Sequence, residues 1–118
     1  HGCAYKVVHG ALSRTPLRVP AYDPGARKWI FVRTSPDARG PRVPTVRTLP
    51  VVPTALVADC EGCLGKVLDE FPEILAKLRF VYVENDGPSG VYASIRRHLE
   101  GAGLRLAMDT GQHKVFVR

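Results

Sequence analysis

Apolar positions follow two different rules on either side of residue 54. In the second part, short apolar runs alternate with stretches of helical period. Ala55-Leu56-Val57-Ala58 is an unbroken apolar run ending in the polar group Asp59-Cys60-Glu61-Gly62, the mark of a strand covered on both faces. Leu64, Val67, Leu68, Phe71 and Leu75 then recur at helical spacing on one face, with Pro72 placed to kink that helix or start a fresh turn. Phe80-Val81-Tyr82-Val83 repeats the strand pattern and again runs into polar residues, Glu84-Asn85-Asp86. A second helix is predicted over about 90–102, with Val91, Ile95 and Leu99 inward and Arg96, Arg97 and Glu100 outward, stopped by Gly101 and Gly103. Residues 104–108 and 114–117 close the chain as a hairpin around Asp109-Thr110-Gly111.

The succession strand, helix, strand, helix, strand, strand predicts an α/β layer with a parallel sheet and a closing antiparallel hairpin. Residues 1–54 predict short extended pieces instead, at 5–12, 17–21, 29–33 and 43–48, separated by turn residues. Eight of the ten prolines lie there, each removing a backbone donor and biasing its predecessor toward extended geometry. Long helices are not expected in this part. A loop-rich linker is the competing reading, opposed by the apolar run Trp29-Ile30-Phe31-Val32. The expected organisation is one domain or half-domain over 1–118, β-rich through 54 and βαβαββ from 55.

Composition narrows the class. The 118 residues, 45% hydrophobic and 24% charged, have the make-up of a globular domain. No apolar stretch approaches the roughly 20 residues that span a bilayer, and neither a signal peptide nor a lipidation signal is recognisable. The chain starts at His1 rather than Met, so a processed or longer parent is expected. Three cysteines are too few and too odd for a disulfide framework, which points to a reducing interior, cytoplasmic or organellar. The net charge of +6 is spread along the chain, denser around Arg27, Lys28, Arg33, Arg39, Arg42 and Arg47. That predicts weak attraction to polyanions, without the interleaved aromatic and basic pattern of a nucleic-acid binder.

Two strands that each end in acidic residues are informative, because open α/β sheets bind ligands beyond the carboxyl ends of their strands. Asp59 and Glu84 are expected side by side there. The runs Thr48-Leu49, Ala55-Leu56-Val57-Ala58-Asp59-Cys60-Glu61-Gly62, Val67-Leu68 and Phe80-Val81-Tyr82-Val83-Glu84 together resemble FkbM-type S-adenosylmethionine-dependent methyltransferases. That family has a TL dipeptide, an apolar strand ending D-x-E-G, a helix and a strand ending in Glu. Val7-Val8-His9-Gly10-Ala11-Leu12-Ser13 is similar to the family's strand ending ALS, which precedes a variable insertion of short strands. The resemblance covers nearly the whole chain but only about the second half of the family's domain. It implies the C-terminal half of a Rossmann-like class I methyltransferase sheet, preceded by a small β-rich insertion. Leu64 stands where the family usually has an acidic residue, and Asn85-Asp86 where a histidine often follows.

The resemblance further implies that Asp59, Glu61 and Glu84 line the acceptor side of a cleft, orienting a hydroxyl of a small molecule or sugar or removing its proton, with Gly62, Asn85 and Asp86 contacting it. No Gly-rich turn and no acidic-ended strand for the cofactor ribose come before Ala4. Residues that hold S-adenosylmethionine are therefore not assigned, and binding by this chain alone is not expected. Strand 55–58 would be left with an apolar edge, to be covered by a partner polypeptide or a missing N-terminal segment. A noncatalytic methyltransferase-like subunit of a larger assembly is the alternative. In the plainer structural reading, Asp59 caps the next helix and Glu61 favours its positive end. Cys60 and Cys63 form a C-x-x-C that suits a small zinc or thiol-redox module, with Cys3, His9, His98 and His113 as the other available ligands. The simpler expectation is free cysteines packed as small hydrophobes and no metal.

Overall fold

The computed structural model describes residues 7–21, 34–49, 51–60, 62–85 and 90–118. The chain divides into two compact units, 1–49 and 50–118. The expected segment 29–33 and the start of the segment at 5–12 lie outside the described residues.

In the first unit β1 (Ala11–Leu12) pairs parallel with β4 (Thr45–Val46), and β2 (Leu17–Arg18) pairs antiparallel with β3 (Arg42–Val43). The strands are shorter than the apolar pattern predicts. Pro16, Pro20, Pro41 and Pro44 flank them, and a residue without an N–H cannot extend a ladder. Side chains and turns supply the remaining bonds. The buried Ser13 Oγ donates to the Thr15 carbonyl and accepts from the Thr15 N–H, both at 3.0 Å, and Arg18 Nη1 donates to the Gly40 carbonyl at 3.0 Å. At Gly40 an added Cβ would lie 2.5 Å from the Val19 carbonyl oxygen, so the close approach of the two backbones requires glycine.

The second unit is an α/β layer. Its elements are β5 (Ala55–Ala58), α1 (Leu64–Glu70), a 3-10 segment (Pro72–Ala76), β6 (Phe80–Glu84), α2 (Val91–Gly101), β7 (Arg105–Asp109) and β8 (His113–Val117). The sheet order is β5-β6-β8-β7, with β5 parallel to β6 and the other pairs antiparallel. The sheet is therefore mixed. An extra residue, Ala107, interrupts the β7–β8 register, which is the signature of a bulge.

One face of this sheet carries the core. Ala58, Val81, Val83 and Phe116 are buried together with Leu64, Leu68, Phe71, Ile74, Leu78, Ile95, Leu99 and Leu104. Helices α1 and α2 pack against each other at Gly65, where an added Cβ would meet Ile95 Cγ1 at 3.7 Å, an ordinary van der Waals contact. The predicted stripe through Leu75 is corrected by the structure: α1 stops at Glu70, Pro72 opens the 3-10 segment, and its three-residue period turns Ile74 inward. Helix α2 ends in a Schellman motif, the Leu104 N–H donating to the Leu99 carbonyl at 3.0 Å and the Gly103 N–H to the Glu100 carbonyl at 2.9 Å, with Gly103 at φ +84°.

A second correction concerns β5, read from its unbroken apolar run as covered on both faces. Val57 is 70% exposed, and Phe80 and Met108 on the same face of the sheet are 39% and 45% exposed. In this unit the buried residues of the helices belong with the Val81 and Val83 face, so continuity of apolar residues alone was a poor guide to burial.

Lys114 is buried on the core face, opposite Val83. Its ammonium pairs with Asp109 and lies 5.3 Å from the centre of the Tyr92 ring. The Asp109 carboxyl also accepts the Gly111 N–H at 2.7 Å, which shapes the hairpin turn. The Lys114 bond first, and the Gly111 bond second, hold Asp109 below its ordinary value of 3.8, while burial pushes Tyr92 above 10.0.

Two outcomes are expected from urea unfolding. Leu68→Ala and Phe116→Ala should each remove about 2–5 kcal/mol, and Val57→Thr no more than about 0.5 kcal/mol; equal losses at all three would contradict a one-sided core. The depressed carboxyl means that Asp109 contributes stability in full above its unfolded value near 3.8, and that this is lost as pH falls through the lower folded value. Asp109→Asn should accordingly lower the midpoint at neutral pH and flatten its decline at acid pH, and an unchanged acid slope would argue against the pairing.

Candidate functional site

The register of β5 on β6 ends with Ala58 opposite Val83, and the next residue of each segment is acidic, Asp59 just past the carboxyl end of β5 and Glu84 at the carboxyl end of β6. Asp59 is exposed and Glu84 half-buried. On its other side Glu84 faces His113 of β8. A row of two ionisable residues on adjacent strands, Glu84 and His113, follows from the register alone, and it lies on the sheet face that the helices leave open.

Local bonds fix much of this end. The Asn85 N–H donates to the Gln112 carbonyl at 2.6 Å, and Asn85 Nδ2 reaches the Gly111 carbonyl at 3.5 Å. Gln112 Nε2 donates to Glu84 Oε1. Tyr82 Oη and His113 Nδ1 share a hydrogen bond of 2.6 Å, and their rings stack with centroids 5.6 Å apart. The β7–β8 turn thus grips the end of β6, with Glu84 bonded to Gln112 and paired in register with His113, whose imidazole is bonded to the Tyr82 phenol. Such a set can orient a hydroxyl and accept its proton.

Of the residues expected here, Asp59, Glu84 and Asn85 come together at one end of the sheet, whereas Glu61 and Asp86 lie outside the described residues. Gly62 has φ +79°, so the turn between β5 and α1 accounts for it without a ligand. Asp59 does not cap α1: the residue at the N-cap is Cys63, with no side-chain capping bond. The turn is long enough to place Asp59 four positions ahead of the cap, beyond the reach of the first helical N–H groups.

The cysteines also depart from expectation. Cys60 and Cys63 are joined in a disulfide with Cα atoms 5.4 Å apart, Cys60 half-buried and Cys63 exposed, and so do not pack as free buried hydrophobes. Cys3 lies outside the described residues. Among the described residues no group of three His, Cys, Asp or Glu is placed to hold a metal. His98 Nε2 meets Asp69 Oδ1 at 2.8 Å and joins α2 to α1, a structural use of that histidine.

Tyr82 and Gln112 were not among the expected site residues, and His113 was named only as an available zinc ligand. The signal is present in the strand period, since Tyr82 and Glu84 share a face, but the apolar pattern resumes the hairpin only at Lys114, one residue too late to set His113 opposite Glu84. A double-mutant cycle over Tyr82→Phe and His113→Gln should show a coupling of about 0.5–1.5 kcal/mol in stability, and a coupling of zero would mean that the two side chains do not meet in solution. No helix among the described residues is long and apolar enough to cross a membrane. Comparison with family models, with curated proteins and with solved structures finds no match to this chain.

Proposed function

We propose that this chain is the acceptor-side part of an FkbM-like S-adenosylmethionine-dependent methyltransferase, acting on a hydroxyl of a small molecule or sugar. The observation that carries this reading is the parallel pairing of β5 and β6, each strand running into an acidic residue, Asp59 or Glu84, at its carboxyl end and followed by a helix, with the sheet closed by an antiparallel hairpin. That is the order of elements the sequence resemblance implies. Glu84, steadied by Gln112, orients the acceptor hydroxyl, and Glu84 or the His113–Tyr82 pair takes its proton as the oxygen is methylated.

S-adenosylmethionine would supply the methyl group as an electrophilic sulfonium carbon. The described residues offer no cradle for it: Asp59 and a disulfide stand at the end of β5 rather than a glycine-rich phosphate- or ribose-binding loop. Cofactor binding therefore belongs to a further segment or a partner polypeptide set against β5, which is the outer strand of its sheet with Val57 exposed. The same exposed strand and bare sheet face favour a second reading, a noncatalytic methyltransferase-like subunit kept for its contacts within an assembly.

Calorimetric titration of S-adenosylmethionine, into the chain alone and into the chain with the protein that purifies alongside it, separates the two. The first reading expects no heat from the chain alone and binding once the partner is present. In that complex Glu84→Gln should lower methyl transfer by about 10²-fold or more with cofactor affinity unchanged. Absence of binding in both samples would leave the noncatalytic reading.

A further inference from the structure

The Cys60–Cys63 pair has no part in the proposed methyl transfer, yet the fold places it at an accessible corner. The two cysteines flank the turn from β5 to α1, three positions apart in sequence, and are bonded to one another. The turn does not depend on the bond. The Cys63 N–H donates to the Cys60 carbonyl at 3.0 Å, and the Cys63 carbonyl accepts the Val67 N–H at 3.1 Å, so backbone bonds hold the turn and the start of α1 by themselves. A cross-link over so short a loop also removes little entropy from the unfolded chain. Neither sulfur belongs to the buried core, and exposed disulfides are the readily exchanged ones.

We propose that Cys60 and Cys63 are a reversible dithiol/disulfide pair that exchanges with low-molecular-weight thiols of the glutathione class. The incoming thiolate attacks Sγ of the exposed Cys63. The Cys60–Cys63 bond breaks, a mixed disulfide forms on Cys63, and Cys60 leaves as a thiolate that takes up a proton. A second thiolate then attacks the thiol-derived sulfur of the mixed disulfide, releasing the small-molecule disulfide and the Cys63 thiolate, which is protonated in turn. Two thiols are oxidised, the protein disulfide is reduced by two electrons, and oxidised glutathione drives the same steps backward. Because Asp59 immediately precedes Cys60, the exchange opens and closes a link beside the acidic end of β5.

The test uses the full chain carrying Cys3→Ser, equilibrated in buffers of graded reduced-to-oxidised glutathione, acid-quenched, alkylated and weighed by mass spectrometry. The expected result is a single two-electron transition in which both thiols appear together, while the far-UV circular dichroism stays the same on either side. With oxidised glutathione, Cys60→Ser in the same background should acquire an adduct on Cys63 faster than Cys63→Ser acquires one on Cys60. A pair that stays bonded in reduced glutathione until denaturant is added, or one whose reduction unfolds the chain, would make the bond a structural staple and overturn the proposal. So would two thiols that remain free in fully oxidised glutathione. Faster modification of Cys60 than of Cys63 would overturn the assignment of the attacked sulfur. These readouts do not depend on methyl transfer, so failure of either proposal leaves the other standing.

Discussion

β8 lies between β6 and β7, bonded to both, and the second unit depends on that insertion. Because side chains alternate along a strand, its five residues serve two surfaces at once. Phe116 and Lys114 face the core, Phe116 opposite Val81 and Leu106, while His113, Val115 and Val117 face the open side. The same register that completes the core sets His113 against Glu84. A slip of one residue would put Lys114 in the row of ionisable groups and turn Val115 and Val117 into the core.

A buried lysine in the middle of that strand is tolerable only if its charge is answered. Asp109, at the end of β7, answers it, and the Tyr92 ring lies alongside. The arrangement links the hairpin turn to the core. Asp109 shapes the turn through the Gly111 N–H and neutralises Lys114 through the same carboxylate, and the turn in turn presents Gln112 and Asn85's carbonyl partner to the end of β6. Packing, turn geometry and the candidate site are thus one connected set of contacts.

The uncovered sheet face is the other large-scale feature. Val57, Phe80 and Met108 expose apolar surface on the side away from the helices, and β5 is the outer strand. Apolar surface of this kind is held back from water when another element covers it. The proposed cofactor-binding segment and the noncatalytic assembly are two forms of that cover, and the ionisable residues Glu84 and His113 lie on the same open side.

Local periodicity determined much of the second unit. The apolar runs at 55–58 and 80–83, the helical spacing of Ile95 and Leu99, and the turn residues Asp109-Thr110-Gly111 each favour one local conformation, and so β5, β6, α2 and the hairpin were readable from the chain. Tertiary structure decided what no local rule contains. The exposure of Val57 depends on which face the helices choose, the inward turn of Ile74 on how the 3-10 segment after Pro72 shifts the phase, and the partnership of Tyr82 with His113 on a strand register set 31 residues apart. The disulfide is of the same kind: C-x-x-C spacing permits it, but only the turn through Gly62 brings the two sulfurs together. Local sequence fixes dihedral preferences and periods, whereas burial, register and side-chain encounters are properties of pairs of segments, and they exist only once the segments have met.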